Sequence, residues 1–301
     1  GGGGASRGAA ARRLRQDCSD TLKMTNPSGD PVPAISEADA TGEVAALYAD
    51  IRATLGVPVV NLIWRHLAMF PGALPWAWEA LKPLYADDTI AAQAAALRAE
   101  LQVPALAGLS GPTLAAAGLS PDDLSRITMI LRSYERSNAM NMVALCALSA
   151  RLKGQAPTAG EAAAALRAEA AIGGEMPPLL TLDAMAAPVR SLVEDLNRIG
   201  GRDEILASMY RHLANWPVYL ALVHALIAPY AAEDRLEPVI LNVIENGHQR
   251  AAGISGGLAT PAAMPGDAAQ AEMAAALARF TDGPIGKMIA IVPLIRQAMP
   301  A

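Results

Sequence analysis

The sequence predicts an all-α protein built from two tandem copies of one helical unit. Its composition is the first reason. Of its 301 residues, 52% are hydrophobic but only 4% are aromatic, and much of the apolar content is Ala and Leu, which favour helices over strands. No segment shows the alternation of apolar and polar residues that is typical of a half-buried strand. The length is sufficient for two domains of ordinary size.

Internal similarity is the second reason. Residues 64–71 read Trp-Arg-His-Leu-Ala-Met-Phe-Pro, and residues 210–217 read Tyr-Arg-His-Leu-Ala-Asn-Trp-Pro. The same constant offset relates Arg65 to Arg211 and Pro83 to Pro229. Such self-similarity indicates a duplicated structural unit. Two similar halves usually pack about a pseudo-two-fold axis, and the contact between them is a favoured place for a small-molecule pocket.

Apolar periodicity and capping residues predict the helices in order. In the first copy they predict helices over 43–55, about 58–69, about 73–85 and 121–136, then a break at Ser137-Asn138 and a further helix to Leu152. In the second copy, Gly200-Gly201 ends the first helix and Pro217 interrupts the next pair. There, Asp267 can cap a helix that Asp282-Gly283-Pro284 breaks.

The chain divides into four predicted segments. Residues 1–23 hold a glycine run and an Ala/Arg stretch with no apolar signal core, so they are interpreted as a disordered extension or a start-site artefact. Residues 24–153 form the first repeat and residues 181–301 the second. Residues 154–180 are rich in Ala, Gly and Pro and are typical of a linker.

Charge and cysteine content exclude several classes of function. The mild net charge of −5 gives no electrostatic footprint for nucleic acid, which requires clustered Lys and Arg. No run of about 18 apolar residues predicts a membrane span. Cys18 and Cys146 stand alone, which fits a reducing, cytoplasmic location and forms neither a disulfide framework nor a zinc site. No metal motif or glycine-rich nucleotide loop occurs, so no metal or cofactor is expected.

The order and spacing of several short motifs resemble one known family. The motifs are Tyr48-Ala49-Asp50-Ile51-Arg52-Ala53-Thr54-Leu55 before Val57-Pro58, Phe70-Pro71-Gly72 before Ala77-Trp78, Ser137-Asn138, and Leu213-Ala214-Asn215-Trp216-Pro217. Together they resemble the group I DL-2-haloacid dehalogenases over nearly everything from Met24 onward. The resemblance implies an all-helical pseudo-dimer that places both substrate enantiomers in one pocket between the repeats. It also implies that an activated water attacks the halogen-bearing carbon, without a covalent enzyme ester.

The resemblance also implies roles for single positions. Asn138 matches the pocket asparagine of the family, and Ser208 matches the serine before its catalytic aspartate. The aspartate itself falls on Met209, which cannot take a proton from water, and Tyr210 follows it. Four further substrate-binding positions carry other residues here: bulky aromatics fall on Val59 and Leu62, another aromatic on Asn141, and a tyrosine on Phe280.

A substitute for the missing base can be sought near Met209. His212 lies one helical turn away on the same face, and the imidazole is suited to acid–base chemistry near neutrality. We therefore predict His212, together with His66 in the first copy, as the catalytic acid/base. The alternative is that both histidines only form hydrogen bonds across a helix–helix contact. Asp282, at the second helix break, is another predicted catalytic residue, although Asp before Gly-Pro is also ordinary in turns.

Two more alternatives stay open. Asn138 either caps a helix break or orients a substrate carboxylate or water. Arg65 and Arg211 either bind a carboxylate bidentately or pair with acids on a neighbouring helix.

The predicted function is that of a haloacid-dehalogenase-like hydrolase, which attacks a small 2-substituted carboxylic acid with activated water. The alternative is a protein of the same fold that binds a small acid or another partner without catalysis, and a homodimer fits both.

Overall fold

A computed structural model describes residues 30–158 and 169–300. All regular secondary structure within these ranges is helical, which confirms the predicted all-α class. The α-helices are α1 Gly42–Leu55, α2 Leu62–Leu67, α3 Ala73–Ala86, α4 Thr89–Ala99, α5 Gly111–Ala116, α6 Pro121–Leu152, α7 Ala187–Arg198, α8 Ser208–Leu213, α9 Pro217–Ala232, α10 Glu237–Ile254, α11 Asp267–Phe280 and α12 Gly286–Gln297.

The helices of the two predicted copies follow the same order. The offset that relates the repeated segments also relates the start of α2 at Leu62 to the start of α8 at Ser208. It relates the start of α6 at Pro121 to the start of α11 at Asp267 as well. This order is the one that a duplication would produce, and the duplication itself stays a prediction from the sequence. The predicted extension at 1–23 lies outside the described residues, as does part of the predicted linker, at 159–168.

Helix α6 forms the centre of the molecule. It has 32 residues and packs against α4, α10 and α12. Its start follows the prediction, because Ser120 and Asp123 form a reciprocal capping box that pairs two otherwise free backbone N–H groups. From Ser137 to Ala150 every side chain is buried. The second half of α6 is therefore a core helix that is buried on all sides, and the rest of the chain is arranged around it.

The predicted break at Ser137-Asn138 is wrong, since α6 continues through both residues. Serine and asparagine disfavour helix interiors mainly because their side chains compete for nearby backbone groups. Here the Ser137 hydroxyl instead accepts a hydrogen bond from Asn61 Nδ2 at 3.0 Å, and both residues are buried. Tertiary packing has overridden a weak local preference.

The predicted break in the second copy is confirmed. Between α11 and α12, residues Thr281–Ile285 form a π-helical turn, and Gly283 has non-helical angles of φ −104° and ψ −117°. Pro284 lacks the N–H that an α-helix would use at that point. Such π-turns are frequent at functional sites, and this one brings Phe280, Pro284 and Ile285 to the wall of a cavity.

No helix in the described part of the chain is both long and apolar enough to cross a bilayer. The longest, α6, carries Asp122, Asp123 and Arg126 in its first two turns.

Candidate functional site

A small cavity of about 40 Å³ lies where segments of the two predicted copies meet. The first copy contributes residues 61–63 and one face of α6, and the second contributes residues 205–209 and the turn between α11 and α12. A water molecule needs roughly 10–15 Å³ of such volume. The cavity therefore has room for about three waters, or for a very small organic molecule in their place.

Three residues that line the cavity each carry a buried polar atom without a hydrogen-bond partner. The atoms are Asn61 Oδ1, Asn138 Nδ2 and Ser208 Oγ, all on buried residues. Asn61 is held by the bond from its Nδ2 to Ser137, which leaves its oxygen as a free acceptor. Leaving a buried polar atom unpaired costs about 1–3 kcal/mol, so such atoms usually mark a ligand or ordered water. Three of them on one cavity indicate a polar occupant.

Apart from Tyr134, the other described residues that line the cavity have apolar side chains, and none is a carboxylate. Leu62, Met209 and Phe280 are among them, and Met209 is completely buried. Among the described residues, none of those lining the cavity is Asp, Glu, Lys, Arg or His. The position predicted to match a catalytic aspartate thus lies in the cavity wall and carries a thioether, which cannot act as a base.

A tyrosine in the wall connects the cavity to a buried histidine. The Tyr134 hydroxyl lies 3.0 Å from His212 Nδ1, and both side chains are buried. Burial lowers the pKa of His212 to about 3, and the positive charges of Arg65 and Arg211 act in the same direction. Burial also raises the pKa of Tyr134 well above its usual value. Both groups are therefore uncharged near neutral pH.

The two repeated arginines meet at one carboxylate. Nη1 of Arg65 binds Oδ2 of Asp30, and Nη1 of Arg211 binds its other oxygen, Oδ1. All three side chains are almost fully buried. The interpretation that these arginines pair with an acid is therefore correct, but the acid lies in the non-helical segment before α1 and not on a neighbouring helix. Neither arginine lines the cavity.

The surroundings of the two repeated histidines differ in one hydroxyl group. Tyr134 and Phe280 are related by the same offset as the histidines, and each packs on the histidine of the opposite copy. The ring centroids are 5.9 Å apart for Tyr134 and His212, and 5.7 Å apart for Phe280 and His66. Phe280 offers no hydrogen bond, and His66 Nδ1 instead lies 2.6 Å from the Pro33 carbonyl, to which it donates. Of the two repeated histidines, only His212 is thus paired with a hydroxyl group at the cavity.

Comparison with curated proteins decides the family. Over 246 residues the chain is 33% identical to a configuration-inverting 2-haloacid dehalogenase of Alcaligenes xylosoxydans xylosoxydans, a match that covers 77% of this chain and 80% of that protein. The chain belongs to the 2-haloacid dehalogenase family. A configuration-inverting 2-haloacid dehalogenase of Pseudomonas sp. (strain 113) is 28% identical over 224 residues, covering 69% of this chain and 68% of the relative. No protein-family model matches the sequence.

Solved structures show the same fold. A D-2-haloacid dehalogenase in complex with L-LA superposes with a TM-score of 0.68 at 18% identity, covering 89% of this chain and 96% of that one. A mutant of a D-2-haloacid dehalogenase with D-2-CPA gives a TM-score of 0.66 at 19% identity, with the same coverage. At this level of identity the likeness concerns the fold alone.

Half of the predicted site residues of this dehalogenase-family chain lie together in the cavity wall. They are Asn138, Leu62, Ser208, Met209 and Phe280. His212 lies behind the wall, in contact with it through Tyr134. Because Asn138 sits within an unbroken helix and its amide nitrogen has no hydrogen-bond partner, it does not cap a helix break.

The other four predicted residues do not line the cavity. Val59 is buried in the core. The Asn141 oxygen accepts a hydrogen bond from Trp64 Nε1 at 3.0 Å. The Tyr210 hydroxyl is buried without a partner elsewhere. Asp282 is 55% exposed, and its Oδ1 lies 2.8 Å from His248 Nε2.

Sequence reasoning missed two polar members of this haloacid-dehalogenase cavity, Asn61 and Tyr134. A signal for Tyr134 was present, because it precedes Asn138 by four positions and so shares its helix face. Asn61 had no such signal, since its counterpart at the repeat offset is Ala207. His248, which engages Asp282, lies within α10.

Two other kinds of site, a metal centre and a nucleophilic cysteine, are not supported by the described residues. Within the ranges that the structure describes, no group of three or more His, Cys, Asp and Glu residues could hold a metal ion. Cys146 is a buried free thiol, and burial raises its pKa to about 12. At that pKa the thiol stays protonated at neutral pH and is a poor nucleophile.

Proposed function

We propose that this chain hydrolyses the carbon–halogen bond of a short 2-haloacid in the cavity between its two predicted copies. The observation that carries the proposal is that three residues lining one small cavity, Asn61, Asn138 and Ser208, each carry a buried polar atom without a hydrogen-bond partner. Membership in the 2-haloacid dehalogenase family supports the choice of substrate class.

The polar atoms match the groups of such a substrate. The Asn138 amide nitrogen and the Ser208 hydroxyl can donate hydrogen bonds to the substrate carboxylate, and hydrogen bonds to a charged group contribute about 1.5–3 kcal/mol. Asn61 Oδ1 can accept a hydrogen bond from a water molecule. The apolar side chains of Leu62 and Phe280 suit the halogen and the alkyl group.

The chemistry requires only these groups and a proton acceptor. The water oxygen forms a bond to C2 as the carbon–halogen bond breaks, and the halide leaves with the bonding electron pair. The products are a 2-hydroxy acid, a halide ion and one proton. Holding the water and the carbon in line in a cavity of this size supplies the orientation that this displacement needs.

A second candidate function is the binding of a small acid without turnover. The observation in its favour is Met209, which leaves the cavity wall with no carboxylate among the described residues. Both candidates use the same polar atoms, so binding alone does not separate them; halide release does.

Location, assembly and domain boundaries complete the proposal. We expect a cytoplasmic protein without nucleic-acid partners, because the net charge is only −5 and unpaired cysteines suit a reducing compartment. We expect a homodimer as the assembly. The repeats are proposed to occupy residues 24–153 and 181–301.

The test is halide release from (R)- and (S)-2-chloropropionate, with lactate measured as the other product. Asn138→Leu removes the donor and keeps most of the volume, so we expect KM to rise by about tenfold or more, as loss of a hydrogen bond to a charged group predicts. The matched control is Asn246→Leu, because the Asn246 side chain bonds to Asn242 on the surface of α10. Calorimetric binding without halide release would favour the second candidate, and the absence of both would reject the proposal.

A further inference from the structure

The proposed function leaves open which group takes the proton of the attacking water. Resting on that function, we propose that Tyr134 and His212 form a proton relay that replaces the missing carboxylate. In this relay Tyr134 is the catalytic residue that touches the water, and His212 acts through it from behind the cavity wall.

Geometry is the main support for the relay. Tyr134 lines the cavity, and its hydroxyl lies 3.0 Å from His212 Nδ1, within range for proton transfer. His212 stands one turn after Met209 on α8. The relay thus starts from the same short helix that carries the base position of the family. It reaches the cavity through a side chain of α6.

The protonation states are also suitable. Burial keeps His212 neutral, with a pKa of about 3, and a neutral imidazole has one nitrogen that can accept a proton. An unperturbed aspartate has a pKa of about 3.9. Like such a carboxylate, His212 is therefore in its basic form at neutral pH.

The charged groups around the pair act on both of its members. Arg65 and Arg211 act on both members of the pair and oppose a positive charge on His212. Asp30, which binds both arginines, acts on Tyr134 from the same cluster, as does Glu37. The imidazolium formed in the reaction is consequently short-lived and returns its proton readily.

The proton inventory of the step balances. As the water oxygen bonds to C2 and the halide leaves, one water proton passes to the Tyr134 oxygen. The phenolic proton of Tyr134 passes at the same time to His212 Nδ1. Reversal of the two transfers, with solvent water as the acceptor, restores the neutral pair and releases one proton.

Two other predicted groups are poorly placed for this role. Asp282 is 55% exposed, is engaged by His248, and does not line the cavity. His66 packs on Phe280, which has no hydroxyl, and its Nδ1 faces the Pro33 carbonyl.

The first arm of the test removes each member of the relay. A general base typically contributes about 10²–10⁴-fold to the rate, so Tyr134→Phe and His212→Gln are expected to lower kcat by about 100-fold or more. KM should change by less than about threefold, because neither group is assigned to the substrate carboxylate. The matched controls are Tyr219→Phe, which removes a buried hydroxyl that has no hydrogen-bond partner, and His224→Gln; both residues lie outside the cavity wall. Both controls should keep the parental kcat.

The second arm separates chemistry from folding. Met209→Asp places a carboxylate in the cavity wall, so the double variant Tyr134→Phe/Met209→Asp should regain most of the activity of Met209→Asp alone. A purely structural role for Tyr134 predicts no such rescue. The parental kcat should also stay level from about pH 8 to pH 5, because His212 remains neutral there and an ordinary histidine would not.

The outcomes distinguish the two proposals. Parental kcat in Tyr134→Phe, or no rescue by Met209→Asp, overturns the relay and leaves the proposed hydrolysis standing. Failure of the parent to release halide overturns both.

Discussion

The side chains of Arg65 and Arg211, which occupy the same position in the two repeated segments, bind opposite oxygens of a single buried carboxylate. That carboxylate belongs to Asp30, which precedes the first helix. The segment before α1 thus connects α2 and α8, the two helices that carry the repeated Arg-His sequence and form part of the cavity wall.

Removing this carboxylate should destabilise the fold strongly. Asp30→Asn keeps the shape but leaves two buried guanidinium groups without their anion, and breaking a buried ion pair costs about 3–5 kcal/mol. Urea unfolding at pH 7 measures the loss. Asp122→Asn is the control, because its pair with Arg126 is exposed on both sides and should cost less than about 1 kcal/mol. Equal losses in the two variants would contradict the role given to Asp30.

His212 should make stability depend on acidity. Its pKa in the folded protein is about 3, well below the value of about 6.5 in an unfolded chain. Between these two values the unfolded chain binds a proton that the folded protein does not. The free energy of unfolding therefore falls as pH falls from about 6.5 towards 3, by up to about 1.4 kcal/mol per pH unit from this residue.

The comparison that isolates this effect is the parent against His212→Gln, with urea unfolding measured at several pH values. Other titrating groups are common to both proteins and cancel in the difference. The parent should lose stability faster than the variant on acidification. If the free energies of unfolding of the two proteins fall equally with pH, His212 takes up its proton in the folded protein as it does in the unfolded chain, which would contradict the prediction.

Asn197 should matter for the shape of the cavity. Its side chain accepts a hydrogen bond from Ala207 N at 3.1 Å and donates to the Asp203 carbonyl at 3.1 Å, which fixes the loop that supplies Ile205, Leu206 and Ala207 to the wall. Asn197→Ala leaves these backbone groups unpaired and should cost about 1–3 kcal/mol. It should also lower kcat/KM for 2-chloropropionate. If the folded Asn197→Ala variant keeps the parental kcat/KM, the loop does not determine the geometry of the active site and the prediction is wrong.

The volume of the cavity should limit the substrate to two or three carbons. About 40 Å³ holds roughly three water molecules, so kcat/KM should fall at least about tenfold from 2-chloropropionate to 2-chlorohexanoate. Phe280→Leu enlarges the cavity and should reduce the ratio of kcat/KM for 2-chloropropionate to kcat/KM for 2-chlorohexanoate. The matched substitution Phe70→Leu changes a phenylalanine that does not line the cavity and should leave the ratio as it was. A parent that accepts both acids equally would show that the cavity opens further in solution.

Local pattern predicted the helices, and similarity predicted part of the site. Apolar periodicity and the Ser120 cap are properties of neighbouring residues, so the sequence is enough to locate them. The cavity positions Asn138, Ser208 and Met209 followed from the family resemblance. The break at Ser137 was wrongly predicted because burial inside the core outweighed a weak local preference.

The contacts that carry the new inferences could not be predicted in this way. Tyr134 and His212 are 78 residues apart, and Asp30 is 35 residues from Arg65 and 181 from Arg211. No local period relates such residues, because their contact depends on how the two halves pack. Repeat comparison also missed the pair, since the position equivalent to Tyr134 is a phenylalanine.

The most direct test of the central claim compares halide release by the parent and by Met209→Asp with racemic 2-chloropropionate. The claim is that this cavity hydrolyses a 2-haloacid without a carboxylate in its wall. It predicts that the parent releases chloride and forms lactate, and that Tyr134→Phe abolishes this activity only when Met209 is present. A silent parent beside an active Met209→Asp variant would contradict it, and would mean that an intact family cavity has lost its base.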